Sequence, residues 1–238
     1  MKILGPLIRA KFVERPNRFI TMVNIDGVIH RSHLPDPGRL KELLFSGANL
    51  LVRPAPKHSV RKTKYSTVMV NHDGQLISLV TALPNQFVKE ALEKKELSIF
   101  KDYTLVRPEV TVEKHRFDFL LKSSNGSDFY LEVKSVTFVE NGVAQFPDAV
   151  TERGRKHALA LKKLVEEGKG AGILFVCQRP DAHSFRPMWE RDPKLANAVL
   201  EANKAGVKVW CITLNISKTE LTFAKEIPVN LELNTGKS

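Results

Sequence analysis

The sequence predicts two consecutive folding units, a small β-barrel followed by an α/β domain with a mixed sheet. Up to residue 81, short runs of alternating apolar and polar residues are separated by turn signals, as in antiparallel strands. Beyond that point, stretches with helical periodicity alternate with strands, which indicates an α/β domain. We therefore expect units at 1–81 and 82–238, with the boundary near 81–84.

The first unit shows about five strands around one helix. Asp26-Gly27 is a dipeptide typical of a two-residue hairpin. A helix is predicted at 37–45, with Asp36 as its N-cap and Pro37 in its first turn. This combination favours a small β-barrel of the OB type. The predicted strands lie in the runs LIRAKFV, FITMVNI, VIHRSHL, ANLLVRP, YSTVMVN and QLISLVT.

The second unit combines helices with buried strands. Residues 85–97 carry the apolar stripe of an amphipathic helix, with Asn85 as its N-cap. A β-hairpin is predicted at 116–134 and a long helix at 148–167. A further helix at 193–205 separates two apolar runs, AGILFVCQ and VKVWCIT. The first of these runs is continuous, as in a central strand covered on both faces.

Composition restricts the class of protein. The chain has 42% hydrophobic and 26% charged residues, which is ordinary for a globular protein. Gly5, Pro6 and Arg9 interrupt the N-terminal apolar run, so it does not have the pattern of a signal peptide. No apolar run reaches the roughly 18 residues of a membrane span. We expect a cytoplasmic protein with no membrane partner.

Positive charge is concentrated in the first unit. Residues 1–81 contain 13 Lys or Arg and 5 Asp or Glu, a net charge of +8 out of +11 for the chain. Such a segment favours a polyanionic partner, because basic residues that neutralise phosphates release condensed counterions. A basic surface that only keeps the protein in solution is the alternative.

One basic loop of the first unit also contains an aromatic ring. OB-type surfaces bind nucleic-acid strands through positive charge combined with base stacking. We therefore predict that this loop contacts nucleic acid, although an ordinary basic loop would have the same composition. The predicted contact residues are Lys57, Arg61, Lys62, Lys64 and Tyr65.

The hairpin at 116–134 carries the residues with catalytic chemistry. If it is symmetric about Asn125, then Asp118 lies opposite Glu132. Glu132 and Lys134 are two positions apart on one strand and share a face. Adjacent carboxylates repel unless a cation lies between them, and hard oxygen ligands select Mg²⁺ or Mn²⁺. Asp118, Glu132 and Lys134 are the candidate catalytic residues, the two acids being metal ligands.

This trio suits the hydrolysis of a phosphodiester. A metal held by two carboxylates activates a bound water and polarises the phosphoryl group. A lysine beside them can orient the water or neutralise charge in the transition state. The alternative is that Glu132 and Lys134 form the polar face of an amphipathic strand. Against it, Asp118 lies between two phenylalanines, where a lone charge is costly to bury.

Several blocks in collinear order carry a specific signature. The longest is EVKSVTFVENGVAQFPDAVTERGRKH, and the others are RFDFLL, PNQFVKEAL, HLPDPGRLKELL and RKTKYST. Together they closely resemble the sugar fermentation stimulation protein family (SfsA). The resemblance implies an OB-like domain joined to a C-terminal domain of the restriction-endonuclease-like, PD-(D/E)XK, fold, with DNA binding as the family's usual description. By motif, Asp118, Glu132 and Lys134 match that fold's Asp and Glu-x-Lys positions.

Three further residues are candidates around this centre. In the implied fold the first helix often supplies another acidic ligand, which makes Glu90 a candidate metal ligand, with a solvated helix face as the alternative. Gln145 could contact a metal-bound water or a phosphate, although an ordinary loop residue would have the same setting. Arg116, at the start of the hairpin, is a third candidate.

The helix at 148–167 provides a basic face. Arg153, Lys156 and His157 have the spacing that places side chains on one side of a helix. We predict that Arg153 and Lys156 hold the phosphate backbone, the first in forked geometry and the second as a point charge. His157 is interpreted as a structural histidine.

The resulting hypothesis is a DNA-binding protein, largely sequence-nonspecific, with a Mg²⁺- or Mn²⁺-dependent nuclease site. The alternative is a non-cleaving DNA-binding regulator of sugar metabolism genes. No helix-turn-helix, zinc finger or basic zipper is evident, so little sequence preference is expected. The sequence leaves the choice between single- and double-stranded DNA open, and it allows a homodimer.

Overall fold

The computed structural model describes residues 1–233 and begins with a closed β-barrel. Five strands form the barrel, which closes because β3 pairs with β5 in parallel, and a sixth strand extends the sheet from β5. This arrangement confirms the OB-like barrel. The strands are β1 (Ile8–Asn17), β2 (Ile20–Ile25), β3 (Val28–His33), β4 (Asn49–Pro54), β5 (Tyr65–His72) and β6 (Gln75–Ser78).

The hairpin between β2 and β3 forms as its sequence indicates. Asp26 and Gly27 have φ angles of 50° and 87°. Two consecutive positive φ angles are required by the type I′ turn, which matches the twist of the flanking strands. The dipeptide therefore fixes the pairing of β2 with β3.

The second domain is built on a six-stranded mixed sheet in the order β15-β14-β12-β9-β8-β7. β12 is parallel to β9 and β14, whereas β7, β8 and β15 pair antiparallel with their neighbours. A three-stranded sheet, β10-β11-β13, lies apart from it. The elements are α1 (Leu83–Glu93), β7 (Tyr103–Val112), β8 (His115–Ser123), β9 (Asp128–Val136), β10 (Val139–Glu140), β11 (Val143–Phe146), α2 (Glu152–Glu166), β12 (Gly170–Cys177), β13 (Ser184–Pro187), α3 (Pro193–Lys204), β14 (Lys208–Ile216) and β15 (Leu221–Ile227).

Both faces of this sheet are covered. In β12, Ile173 and Phe175 point to the face packed against α2 and α3. Leu174 and Val176 point to the opposite face, which packs against α1 and against β4 and β5 of the barrel. The continuous apolar run of β12 is therefore a central strand, as predicted. Among residues 1–233, no helix combines the length and apolarity needed to cross a membrane.

The hairpin formed by β8 and β9 has the predicted register. Phe119 faces Leu131, Leu121 faces Phe129, and the pairs are symmetric about Asn125. This register brings the β8 segment before Phe119 alongside the middle of β9. The hairpin therefore places acidic side chains of both strands in one region.

The start of the chain crosses to the second domain. The N–H of Ile3 donates to the carbonyl of Thr219 at 2.7 Å, and the N–H of Leu221 donates to the carbonyl of Met1 at 2.9 Å. The α-amino group donates to the carbonyl of Leu221 at 2.9 Å. The first residues therefore fasten the barrel to the loop between β14 and β15.

The helix predicted at 37–45 is wrong, because the structure has only turns there. Leu40 has a φ of 51°, in the left-handed region, which interrupts a right-handed helix. Its N–H donates to Asp148 Oδ2 at 2.8 Å. Arg15 Nη1 donates to the carbonyl of Gly38 at 2.7 Å and to the next carbonyl at 2.8 Å. Distant side chains thus satisfy backbone groups that a helix would have paired internally.

Two predicted helix starts also need correction. α1 begins at Leu83, so Asn85 lies inside its first turn and is not the N-cap. α2 begins at Glu152, and the hydroxyl of Thr151 caps it by accepting from the N–H of Gly154 at 3.1 Å. Five strands were not predicted: β10, β11 and β13 are short, β7 is largely exposed, and β15 is an edge strand.

We expect Arg15→Ala to lower the free energy of unfolding by about 1–3 kcal/mol, because several carbonyls lose a charged donor. Arg31→Ala is the matched control, since Arg31 lies exposed on β3 and makes no side-chain hydrogen bond within the described residues. Urea denaturation of both variants measures the difference. Equal unfolding midpoints for the two would contradict the role assigned to Arg15.

Candidate active site

A cleft of about 490 Å³ opens between the two domains. The β8–β9 hairpin contributes its carboxylates, and the segment between β11 and α2 forms one wall. The barrel contributes the other wall through the β1–β2 turn and the segment after β3. The structure brings together five of the residues predicted from sequence, Asp118, Glu132, Lys134, Gln145 and Arg153.

Asp118 is held rigidly in the cleft. Its Oδ2 accepts from the N–H of Val133 at 2.7 Å, and its Oδ1 accepts from Asn85 Nδ2 at 2.6 Å. Burial, assisted by the neighbouring carboxylate of Glu132, raises the pKa of Asp118 from 3.8 to about 6. The carboxylate is therefore fixed in position and lacks enough positive charge nearby to offset its burial.

Glu132 is the most deeply buried acid of the cleft, at 3% exposure. Its Oε1 accepts from Lys134 Nζ at 2.5 Å and lies 2.5 Å from His157 Nδ1. Burial alone would raise the pKa of Glu132, but the bond from His157 and the charge of Lys134 outweigh it and lower the pKa. Because an ionised carboxylate only accepts, Nδ1 of His157 carries the proton of this bond.

The second oxygen of Glu132 indicates what the site could hold. Oε2 is buried and has no hydrogen-bond partner among the described residues. Such an atom is unusual, because buried polar groups are nearly always satisfied. A divalent cation would satisfy this oxygen and would relieve the repulsion between Glu132 and Asp118, which adds to the effect of burial on the pKa of Asp118. The residues present therefore fit a divalent cation.

The protein would supply two carboxylates to that cation. In residues 1–233, no group of three or more His, Cys, Asp or Glu side chains is arranged for a metal ion. Mg²⁺ often takes one or two carboxylates and completes its shell with waters and substrate phosphates. The pair Asp118 and Glu132 is in keeping with such a shell.

Lys134 and His157 hold Glu132 from different elements. Lys134 follows it on β9, and its amine reaches the cleft. His157 comes from α2 and packs edge-on against Phe117 with ring centroids 5.8 Å apart. A structural role was expected for His157, and its bond to Glu132 shows that it also orients a candidate ligand. Its position one helical turn after Arg153 was the available signal.

Three polar residues are among those of the cleft that were not predicted as part of the site. Asn85 reaches Asp118 from α1. Asp36 lines the cleft from the barrel, and Asp148 lines it from the second domain. Burial raises the pKa of Asp36 to about 6, with Asp148 adding to the effect. No local pattern joins these residues, since they come together only through the contact of the two domains.

Glu90 does not reach the cleft, so its assignment as a metal ligand needs correction. Its carboxylate lies 2.5 Å from Lys94 Nζ and 3.8 Å from the α-amino group of Met1. Asn85, more than one turn earlier on α1, is the residue that points to Asp118 instead. α1 does reach the cleft, but with Asn85 and not with Glu90.

The other predicted basic residues take separate positions. Arg116 is exposed on β8, and its guanidinium is 3.6 Å from Glu109 on the neighbouring strand β7. Lys156 lines a different groove, between α2 and the β7–β8 turn, and lies 3.9 Å from Glu152. Of the predicted α2 pair, only Arg153 lines the cleft. Gln145, on β11, is buried in the cleft wall.

The basic loop before β5 is exposed. The structure gives no ion pair to its cationic side chains within residues 1–233. Arg61 Nη1 donates to Ser66 Oγ at 3.1 Å, and Tyr65 packs edge-on against His30 with centroids 5.2 Å apart. The charges are therefore available to a polyanion, whereas the tyrosine ring is already in contact with His30. The exposed cations are Lys57, Arg61, Lys62 and Lys64.

Comparison with known proteins identifies the family of this chain. Residues 13–79 match the family model of the SfsA N-terminal OB domain, and residues 82–220 match that of the sugar fermentation stimulation protein RE domain. The chain belongs to the sugar fermentation stimulation protein family. A homolog from Acetivibrio thermocellus is 43% identical over 96% of this chain and 99% of its own length. One from Desulforamulus reducens is 41% identical, over 96% and 95%.

A solved structure of the SfsA family shows the same fold. Pyrococcus furiosus SfsA, in complex with Ca²⁺, superposes with a TM-score of 0.86 and 29% identity, over 97% of this chain and 99% of that one. The match and the family models confirm the predicted fold class, an OB barrel followed by a restriction-endonuclease-like domain.

We expect Asp118→Asn to stabilise the metal-free protein at neutral pH by on the order of 2–3 kcal/mol. The raised pKa of about 6 means that stability falls as the pH rises from 3.8 through 6, when the wild-type carboxylate ionises. The amide of Asn85 can turn to keep both hydrogen bonds. Thermal unfolding in EDTA should show the gain above pH 6 and its disappearance below pH 4.

Asp102→Asn is the control for this experiment, because Asp102 is exposed in a turn outside the cleft. It should leave the unfolding temperature nearly unchanged at every pH. A stabilisation by Asp118→Asn that persists at pH 3 would contradict the electrostatic explanation.

Proposed function

We propose that this protein binds DNA and hydrolyses its phosphodiester bonds with Mg²⁺ or Mn²⁺ held by Asp118 and Glu132. The observation that carries the proposal is the buried, unpartnered Oε2 of Glu132 within the described part of the chain, beside a second carboxylate and Lys134. The Ca²⁺ complex of the Pyrococcus furiosus relative supports a divalent cation for the family. Ca²⁺ and Mg²⁺ are both hard cations that bind through oxygen.

The residues of the chain provide a preorganised setting. Asp118 is fixed by the N–H of Val133 and by Asn85, and Glu132 is fixed by His157, so neither carboxylate needs to move when substrate arrives. A bound cation would lower the pKa of a water molecule and polarise the phosphoryl group. Lys134 would orient that water or neutralise charge on the nonbridging oxygens.

DNA binding rests on the distribution of positive charge. The first 81 residues have a net charge of +8, and the loop before β5 exposes four cations. Arg153 lines the cleft itself, where it can hold a phosphate near the carboxylates. Contacts of this kind are made to the DNA backbone, so they do not distinguish one base sequence from another. Binding is therefore expected to be largely nonspecific.

A second candidate function is that of a DNA-binding regulator of sugar metabolism genes that does not cleave DNA. The observation in its favour is that Glu132 Oε1 and both oxygens of Asp118 already have hydrogen-bond donors. Such a network can remain folded with no cation present. Both candidates share DNA binding, so cleavage distinguishes them.

We expect the purified protein to cleave DNA when Mg²⁺ or Mn²⁺ is added and to stop when EDTA is added. Glu132→Gln should reduce the rate by at least about 10²-fold, because the amide is a poorer metal ligand and lacks the negative charge that pairs with Lys134 and His157. Glu90→Gln is the matched control, since it changes an acid outside the cleft. Gel analysis of plasmid and oligonucleotide substrates measures the rates.

Calorimetric titration of Mn²⁺ into the same variants separates binding from catalysis. Wild type and Glu90→Gln should bind the ion, and Glu132→Gln should bind it weakly or not at all. Cation binding without cleavage of any DNA substrate would favour the non-cleaving alternative. Cleavage that survives in Glu132→Gln would rule out this site.

We also expect that removing the positive charges of the basic loop will lower the affinity for DNA and make that affinity less dependent on salt concentration. Replacing Lys57, Arg61, Lys62 and Lys64 with Ala should reduce the slope of log K against log salt by about 3.6 for duplex DNA if each side chain contacts one phosphate, because each contact contributes roughly 0.9. Lys89 and Lys94 on α1, which pair with acids, provide the control replacement. Fluorescence anisotropy at salt concentrations from 50 to 200 mM measures the slope for each variant. A slope that is the same in the loop variant and in the wild type would contradict the prediction.

A further inference from the structure

Each domain contributes a cationic rim to the cleft. Arg18, in the turn between β1 and β2, lines it from the barrel, and Arg153 lines it from α2. Both side chains are exposed, and neither is in an ion pair with any residue that the structure describes. Asp118 and Glu132 line the same cleft. A phosphodiester backbone held by both arginines would therefore lie in the cleft that contains the carboxylates.

An exposed aromatic ring lies beside the barrel rim, next to Arg18. Phe19 directly follows Arg18 and is 49% exposed. The Arg18 guanidinium lies 5.8 Å from the centroid of this ring. A cation next to an exposed aromatic face is the arrangement with which proteins hold successive nucleotides of a single strand.

The turn that carries these two side chains is held in place. The N–H of Phe19 donates to Asn17 Oδ1 at 2.9 Å, and its carbonyl accepts from the N–H of Leu34 at 2.8 Å. Arg15 Nη2 donates to the carbonyl of Arg18 at 2.8 Å. The exposed ring therefore has little backbone freedom to lose when a ligand binds, which favours affinity.

The opposite rim has a similar combination of charge and apolar surface. Val150 lines the cleft close to Arg153 in sequence and is 69% exposed. The faces of paired bases are covered by stacking within a duplex, whereas an unpaired base has faces free for a side chain. Flanking rims with apolar groups therefore match a strand whose bases are unpaired.

We propose that the interdomain cleft selects single-stranded DNA, with Phe19 stacking on an unpaired base and Arg18 and Arg153 contacting the phosphates on either side. The inference deepens the proposed function, on which it rests, by specifying the form of DNA that reaches the carboxylates. Phe19 is a specificity-determining residue in this scheme and takes no part in the chemistry.

The test uses the full-length protein in EDTA, so that cleavage cannot interfere with binding. Fluorescence anisotropy compares one dye-labelled oligonucleotide as a single strand and as a blunt duplex. Wild type should bind the single strand about tenfold more tightly or better. Phe19→Ala should weaken single-strand binding by about tenfold, as expected for the loss of one stacked base, and change duplex binding by less than about twofold. Phe19→Trp should retain the preference.

Phe45→Ala is the matched control, because Phe45 is a similarly exposed ring of the barrel domain, at 52%, but has no neighbour in sequence that is an arginine lining the cleft. Equal affinity of the wild type for both DNA forms would overturn the inference. An equal loss of single-strand binding in the Phe19 and Phe45 variants would also overturn it. Neither result depends on whether Mn²⁺ supports cleavage, so failure of this inference and failure of the nuclease proposal are separately visible.

Discussion

The arrangement of the cleft depends on keeping one ionised carboxylate, that of Glu132, almost out of contact with water. A buried charge of this kind is strongly unfavourable unless it is paired. Lys134 supplies one partner from the same strand, and His157 supplies the other from α2. Since β9 lies between β8 and β12 in the sheet, this pairing links the position of α2 to the strand that carries the site. Packing of α2 against the sheet therefore also positions Glu132 in the site.

The features that could be predicted from sequence are those that depend on neighbouring residues. Alternation on both sides of a polar turn fixed the β8–β9 register, and with it the approach of Asp118 to Glu132. Glycine at position 27 after an aspartate fixed a barrel hairpin in the same way. In each case the stereochemistry of a short segment leaves few alternatives.

The features that were missed depend on contacts between distant segments. The leucines at 40, 43 and 44 have helical spacing, yet Arg15 and Asp148 bind the backbone of this segment in another conformation. Asn85 was interpreted as a helix cap because its bond to Asp118 spans 33 positions and leaves no local trace. Helical periodicity likewise could not tell which side of α1 faces the cleft, and Glu90 was chosen in error. Tertiary contacts decided all three cases.

The attachment of the barrel to the second domain has a consequence for motion. The N–H of Leu40 binds Asp148, whose carboxylate also accepts from Arg191, and the first residues of the chain pair with the loop before β15. The domains are therefore tied at two separate places, which opposes a hinge between them. A long polymer would have to enter the fixed cleft from one end or from the side. The width of the cleft would then limit which polymers can bind.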